Sequence, residues 1–95
     1  MNDTDPKPNW KPIDQELLKE NIETGKVKSV TIKEITSNEY IVEIGLSWRT
    51  EPSRIMQNKD KSKPRTFKNL DRLKAYLQET GLNRLKITLE LKSED

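Results

Sequence analysis

The chain has 95 residues, of which 31% are hydrophobic and 36% are charged, so it predicts a single domain with a small core. It contains no cysteine and no histidine, which excludes disulfides and thiolate zinc sites and removes the commonest general base and metal ligand. No apolar run approaches the roughly 20 residues that span a bilayer, so we expect no membrane partner and a cytoplasmic location.

Residues 1–12 are predicted to be a flexible N-terminal tail. Three prolines lie there among polar residues, which bury too little apolar surface to offset the entropy of ordering. Trp10 is the exception, and we expect its amphipathic side chain to dock on the domain. The folded domain is predicted to span residues 13–92, followed by a frayed C-terminus at 93–95.

A short N-terminal helix is predicted after Asp14, whose carboxylate can cap the first turn. Leu17, Leu18 and Ile22 form one apolar stripe, and Gly25 ends the helix after about ten residues.

Two strands are predicted next. Residues 27–36 alternate around Val30 and Ile32, and the stretch from Tyr40 to Trp48 shows the cleanest alternation in the chain. The intervening dipeptide 37–38, Ser-Asn, predicts a hairpin turn, because asparagine tolerates a positive φ.

Residues 50–64 have no periodicity and contain Pro52 and Pro64, so we expect a long basic loop. Loops of this length are usually functional or disordered. Residues 65–68 could then form a short strand with Phe67 pointing inward.

A second helix is predicted over residues 70–80. Asn69 is its expected N-cap, Leu70, Leu73 and Leu77 form its buried stripe, and Gly81 ends it. Alternating apolar residues over 85–91 then predict a final strand.

These elements predict an α+β fold: a small, largely antiparallel sheet of three to four strands, with one helix packed on a face and a short N-terminal helix. The predicted core consists of Val30, Ile32, Val42, Ile44, Leu46, Phe67, Leu70, Leu73, Leu77, Ile87 and Leu89.

Positive charge is concentrated in the middle of the chain. The whole chain has a formal net charge of +2, whereas residues 49–74, here called the basic segment, carry nine basic against three acidic side chains, or +6. The nine are Arg49, Arg54, Lys59, Lys61, Lys63, Arg65, Lys68, Arg72 and Lys74. If they share a surface, that surface would attract an anionic polymer.

The sequence predicts no catalysis. Its acidic residues are scattered among lysines as on a solvated surface, and no glycine-rich phosphate loop, nucleophile elbow or metal-spaced cluster occurs. We therefore expect a non-catalytic protein without metal or cofactor, acting as a monomer or weak dimer. The favoured hypothesis is that the nine cations bind the phosphates of a nucleic acid, with duplex DNA favoured because aromatic residues make up only 5% of the chain.

Two other interpretations remain open. Ile55 and Met56 lie in the middle of the basic loop and could be the apolar anchor of a protein-protein interaction module that docks on an acidic partner. Alternatively, the lysine-rich loop only keeps a small protein soluble.

Three segments carry a resemblance to a known family. They are Leu-Ser-Trp-Arg at 46–49, Arg-Thr-Phe-Lys-Asn-Leu-Asp-Arg-Leu at 65–73, and Leu-Lys-Ile-Thr-Leu at 85–89. Together they resemble the small accessory proteins of mobile elements known as ParC-type plasmid partition proteins, over about residues 46–91. The resemblance implies a non-catalytic DNA-binding role in plasmid or mobile-element maintenance.

Overall fold

A computed structural model describes residues 9–92 of the chain. Seven regular elements follow in order, with a short 3₁₀ turn, Leu82–Arg84, before the last. They are β1 (Lys11–Ile13), α1 (Gln15–Glu23), β2 (Val27–Thr36), β3 (Glu39–Leu46), β4 (Ser53–Ile55), α2 (Leu70–Thr80) and β5 (Ile87–Glu90). None of the helices in this part of the chain is long and apolar enough to cross a membrane.

The five strands form one mixed sheet in the order β1-β4-β3-β2-β5. The pairs β2–β3 and β3–β4 are antiparallel, whereas β1 runs parallel to β4 and β5 runs parallel to β2. The fold is α+β overall, but the expectation of a largely antiparallel sheet of three to four strands is wrong.

The error has two physical sources. Strands β1 and β4 have three residues each, too few for a periodic pattern, and they lie in the expected tail and the expected loop. They form because β4 pairs with β3 and β1 pairs with β4, and a hydrogen bond from Lys11 N to Pro52 O at 2.9 Å joins the same two segments. The direction of β5 could not be read from its own residues, because it follows from the crossover through α2, which returns the chain parallel to β2.

The first of these strands changes the expected start of the folded domain. Strand β1 includes residues 11 and 12, so ordered structure begins before residue 13, and Trp10 packs against Arg54 with the guanidinium carbon 5.3 Å from the ring centre. Residues 1–8 of the expected tail and the expected frayed end at 93–95 lie outside the described residues.

The caps that delimit the helices are confirmed. Asp14 Oδ1 accepts a hydrogen bond from Leu17 N at 2.8 Å, and Asn69 Oδ1 accepts one from Asp71 N at 2.7 Å. Gly81 ends α2 with a φ of 89°. The predicted hairpin turn is also confirmed, since Asn38 adopts a φ of 63° between β2 and β3.

Both helices pack on one face of the sheet, where the hydrophobic core lies. Most of the predicted core is buried there, but Leu70 and Leu89 are wrong, with 55% and 54% of their surface exposed. Leu70 is the first residue of α2 and Leu89 lies on the edge strand β5, so neither is covered from both sides. Seven buried residues were missed: Ile13, Leu18, Tyr40, Ile41, Ile55, Tyr76 and Leu82.

The other face of the sheet is organised by the buried carboxylate of Glu43 on β3. It accepts from Arg54 Nε at 2.7 Å and lies 2.6 Å from Arg54 Nη2 and 3.2 Å from Lys33 Nζ. Lys33 belongs to β2 and Arg54 to β4, so one carboxylate joins three strands. Hydrogen bonds to charged groups contribute more than neutral ones, and more still when little water competes.

Replacement of Glu43 by Gln should therefore lower the free energy of unfolding by about 2 kcal/mol, because two cations lose their counter-charge at a buried position. Urea denaturation measures the change. Glu20→Gln, on the exposed side of α1, is the matched control and should change stability by less than about 0.5 kcal/mol. Equal effects of the two substitutions would contradict the proposed importance of Glu43.

Candidate functional site

The basic loop is partly ordered by its own backbone. After β4, Met56 pairs with Pro64, Gln57 N donates to Lys63 O at 2.9 Å, and Arg65 N donates to Ile55 O at 2.7 Å. At the tip, Asp60 Oδ1 accepts from Ser62 N at 3.1 Å and from Ser62 Oγ at 2.6 Å. These hydrogen bonds lower the pKa of Asp60. The segment expected to be an irregular loop is thus a hairpin that extends from β4.

After the hairpin the chain returns to the sheet at a single point. Tyr40 N donates to Phe67 O and Phe67 N donates to Tyr40 O, each at 2.8 Å. This reciprocal pair is all that forms of the short strand expected at residues 65–68. It fixes the backbone from Arg65 to Phe67 immediately before α2 begins.

Arg65 is held there by two aromatic rings. Its guanidinium carbon lies 4.8 Å from the centre of the Phe67 ring and 4.9 Å from that of Tyr76. The two rings lie 5.2 Å apart and are themselves largely buried. Within residues 9–92 the Arg65 side chain makes no ion pair and donates no hydrogen bond. A half-buried arginine is therefore positioned by stacking while its N–H donors remain available.

Three surface clefts meet at Arg65. The first, about 420 Å³, lies between the start of α1 and the hairpin and is also lined by Lys61. The second, about 460 Å³, is lined by Lys59, and the third, about 310 Å³, by Lys68 and Arg72. The only carboxylate that lines any of these three clefts is that of Asp14, in the first. We call the five cations that line them the Arg65 surface: Lys59, Lys61, Arg65, Lys68 and Arg72.

The other four basic residues predicted for the site lie elsewhere or are engaged differently. Arg49 donates to Ser53 Oγ at 2.9 Å and stacks on Trp48, and Arg54 is paired with Glu43 on the open face of the sheet. Lys63 lies 3.9 Å from Asp60, and Lys74 is exposed on α2 and lines none of the three clefts. The nine predicted cations thus do not form one continuous surface, but five of them do come together.

The two residues predicted to anchor a protein partner, Ile55 and Met56, also differ in how accessible they are. Ile55 is 6% exposed and belongs to the core, so its side chain is not available to anchor a partner. Met56, by contrast, is half-buried and lines the first cleft beside Leu17 and Lys61.

The first turn of α2 adds little to anion binding, because Asn69 already accepts from the N–H groups of Asp71 and Arg72. Tyr76 is the residue that sequence reasoning missed. Its position next to the apolar stripe of α2 was visible, but its contact with Arg65 depends on where the chain returns to the sheet. No group of three or more metal-ligating side chains occurs between residues 9 and 92. Because five cations and one carboxylate line the three clefts, the arrangement is suited to binding anions.

Comparison with protein families, curated proteins and solved structures gives no significant match. The resemblance to plasmid partition proteins therefore stays a prediction.

The Tyr76 hydroxyl should make stability depend on alkaline pH. It is buried, and its oxygen has no hydrogen-bond partner within the described part of the chain. Burial raises the pKa of Tyr76 to about 12, although the charge of Arg65 opposes the shift. A tyrosine in the unfolded chain ionises at a pKa of about 10. The stability that this group contributes is therefore complete below about pH 10 and is lost as the pH rises towards 12.

Tyr76→Phe should remove this part of the alkaline loss and, because an unpaired buried hydroxyl is deleted, should leave stability at pH 7 unchanged or raise it by about 1 kcal/mol. Denaturation of parent and variant at matched pH values isolates Tyr76 from the titrating lysines. Parallel stability curves between pH 9 and pH 12 would contradict the assignment.

Proposed function

We propose that this protein is a non-catalytic nucleic-acid-binding module that contacts the phosphate backbone of duplex DNA through the Arg65 surface. The observation that carries the proposal is the guanidinium of Arg65, stacked on two rings and without an acidic partner within residues 9–92, where three cation-lined clefts meet.

Arginine suits this position. Its planar guanidinium can bind two phosphate oxygens at once and can stack on aromatic rings without losing its donors. Held by Phe67 and Tyr76, it loses less conformational freedom on binding than a free surface side chain would. The surrounding lysines and Arg72 supply longer-range attraction that salt screens.

A duplex suits this surface better than a single strand. Single-stranded nucleic acids are commonly bound by stacking bases on exposed aromatic rings. Near Arg65 the rings of Phe67 and Tyr76 are buried and already stacked on the guanidinium. Trp48 is half-exposed, but Arg49 covers its ring and its Nε1 donates to Asn21 Oδ1 at 2.7 Å. Contact with the backbone of a duplex requires no free ring.

The resemblance to plasmid partition proteins suggests the biological process in which this DNA binding would take part. A small protein that binds the DNA backbone without catalysis would serve as an accessory factor in plasmid partition or mobile-element maintenance, acting in the cytoplasm. This extension depends on the short motifs at 46–49, 65–73 and 85–89.

The Arg65 surface is tested by the triple replacement Lys59→Gln, Lys68→Gln and Arg72→Gln. All three side chains are exposed, so the fold should be retained. Affinity for a duplex should fall because three phosphate contacts are lost, and the plot of log K against log salt concentration should become shallower by about 1 for each cation removed. Fluorescence anisotropy at several salt concentrations measures both quantities.

The matched control replaces Lys19, Lys26 and Lys28 by Gln, three exposed lysines on α1, between α1 and β2, and at the start of β2. It changes the net charge by the same amount but should alter affinity and slope much less. If the two triple variants bind DNA alike, the protein responds only to net charge and the Arg65 surface is not the binding site.

A finer test is Arg65→Lys, which keeps the charge but removes the planar, stacked donor. We expect binding to weaken by on the order of 1 kcal/mol, since two-point contact with phosphate is lost. Arg84→Lys, at an exposed site before β5, should have no effect in the same anisotropy assay. Undiminished binding by Arg65→Lys would show that Arg65 acts only as one charge among several.

The first cleft supports a second candidate function. It combines the apolar side chains of Leu17 and Met56 with the positive charges of Lys61 and Arg65. Such a cleft could hold an acidic peptide with an apolar anchor. A poly-glutamate chain that bound more tightly than duplex DNA, together with loss of that binding in Met56→Asp, would favour this function over the first.

A further inference from the structure

The two edges of the sheet are unlike each other. Edge strand β1 is three residues long and contains Pro12, which has no N–H to offer a further strand. Edge strand β5 contains no proline, and its residues pair only with β2 within the described chain. Natural sheets usually protect such an edge with proline, bulges or charge, because its free backbone groups can pair with another strand.

The edge at β5 also carries exposed apolar side chains. Leu89 is 54% exposed and Leu91 is 64% exposed, and both alternate with Leu85 and Ile87, which pack against the core. These four residues form an apolar row on the side of the sheet that faces the helices. The helices cover Leu85 and Ile87 but leave Leu89 and Leu91 exposed. Removing those two leucines from water would be favourable at about 25 cal/mol for each Å² of apolar surface.

Residues 85–91, which comprise β5 and the residues directly before and after it, are complementary to a second copy of themselves. In an antiparallel pair directly opposite residues lie on the same face, so a register that pairs an apolar with a polar position is excluded. When Thr88 of one copy lies opposite Thr88 of the other, Ile87 lies opposite Leu89 and Leu85 lies opposite Leu91. In the same register Lys86 lies opposite Glu90, and the two-fold symmetry repeats each pair.

Charge disfavours one of the two neighbouring registers. Shifted by one residue per chain to centre on Leu89, the pairing would bring Lys86 opposite Lys92, which is a repulsive contact. Lys86 and Glu90 are both exposed, and neither forms an ion pair within residues 9–92. Both are therefore available to a partner.

From these observations we infer that β5 is a homodimer interface, at which two copies join antiparallel, centred on Thr88, into one continuous sheet with all helices on the same side. The contact is isologous, since the same strand serves in both copies. It involves one short strand from each chain, so the dimer is weak and depends on protein concentration. The inference is independent of the Arg65 surface, which lies at the other end of the sheet order, beyond β3.

Charge exchange tests the interface and its register. Sedimentation equilibrium of the full chain over a range of concentrations should show a reversible change from one chain to two. Lys86→Glu and Glu90→Lys, made separately, should each weaken dimerisation by about tenfold or more, because two attractive cross-strand pairs become repulsive. The double variant recreates the pairs with their signs exchanged, and it should restore the dimer to within about threefold of the parent.

Matched controls are Lys19→Glu and Glu20→Lys on the exposed side of α1, which should leave dimerisation unchanged. Because the chain has no cysteine, Thr88→Cys provides a second measurement: mild oxidation should yield a covalent dimer, whereas Ser37→Cys in the β2–β3 turn should not. A parent that stays a single chain at every concentration would overturn the inference. A double variant no better than the single ones, with Thr88→Cys failing to cross-link, would overturn it equally.

Discussion

The pair of backbone hydrogen bonds between Tyr40 and Phe67 is the constraint on which the candidate site depends. Residues 56–64 form a hairpin that continues from β4, and α2 begins three residues after Phe67. The two 2.8 Å bonds tie the end of the hairpin to β3 and thereby set where α2 starts. Without them Phe67 and Tyr76 would not be placed to hold Arg65 between the hairpin and the helix. The backbone contact between Tyr40 and Phe67 therefore determines where the charge of Arg65 is placed.

The cations of the basic segment have two roles: some arginines make contacts within the fold, and most lysines are exposed to solvent. Arg49 and Arg54 are used internally: one joins the end of β3 to Ser53, and the other neutralises Glu43. Arginine suits such positions because its rigid fork satisfies several acceptors at once. Most lysines of the segment project into solvent instead. Arg65 has the fixed position of the internal arginines and the unpaired charge of the exposed lysines, which is why it stands at the centre of the proposed DNA contact.

Sequence patterns predicted the structure correctly wherever the backbone conformation depends on neighbouring residues alone. The cap at Asn69, the stop at Gly81 and the turn at Asn38 depend on single residues whose chemistry determines the backbone, and all three were predicted correctly. Patterns failed wherever structure comes from pairing between distant segments. Three residues of β1 and three of β4 show no periodicity, yet they form strands because β4 pairs with both β3 and β1. The same limit applies to the site: the sequence showed that charge was concentrated, but not that Arg54 would meet Glu43.

The most direct test of the account is an NMR titration of the isotopically labelled protein with a short duplex. Binding at the Arg65 surface predicts that the largest amide shifts fall in the hairpin near Lys59 and between Arg65 and Arg72, with little change in β5. The shifts should diminish together as salt is raised, because the contact is with phosphates. Shifts spread evenly over exposed lysines throughout the chain, or concentrated around Arg49 and β5, would contradict the central claim that DNA is bound where the three clefts meet.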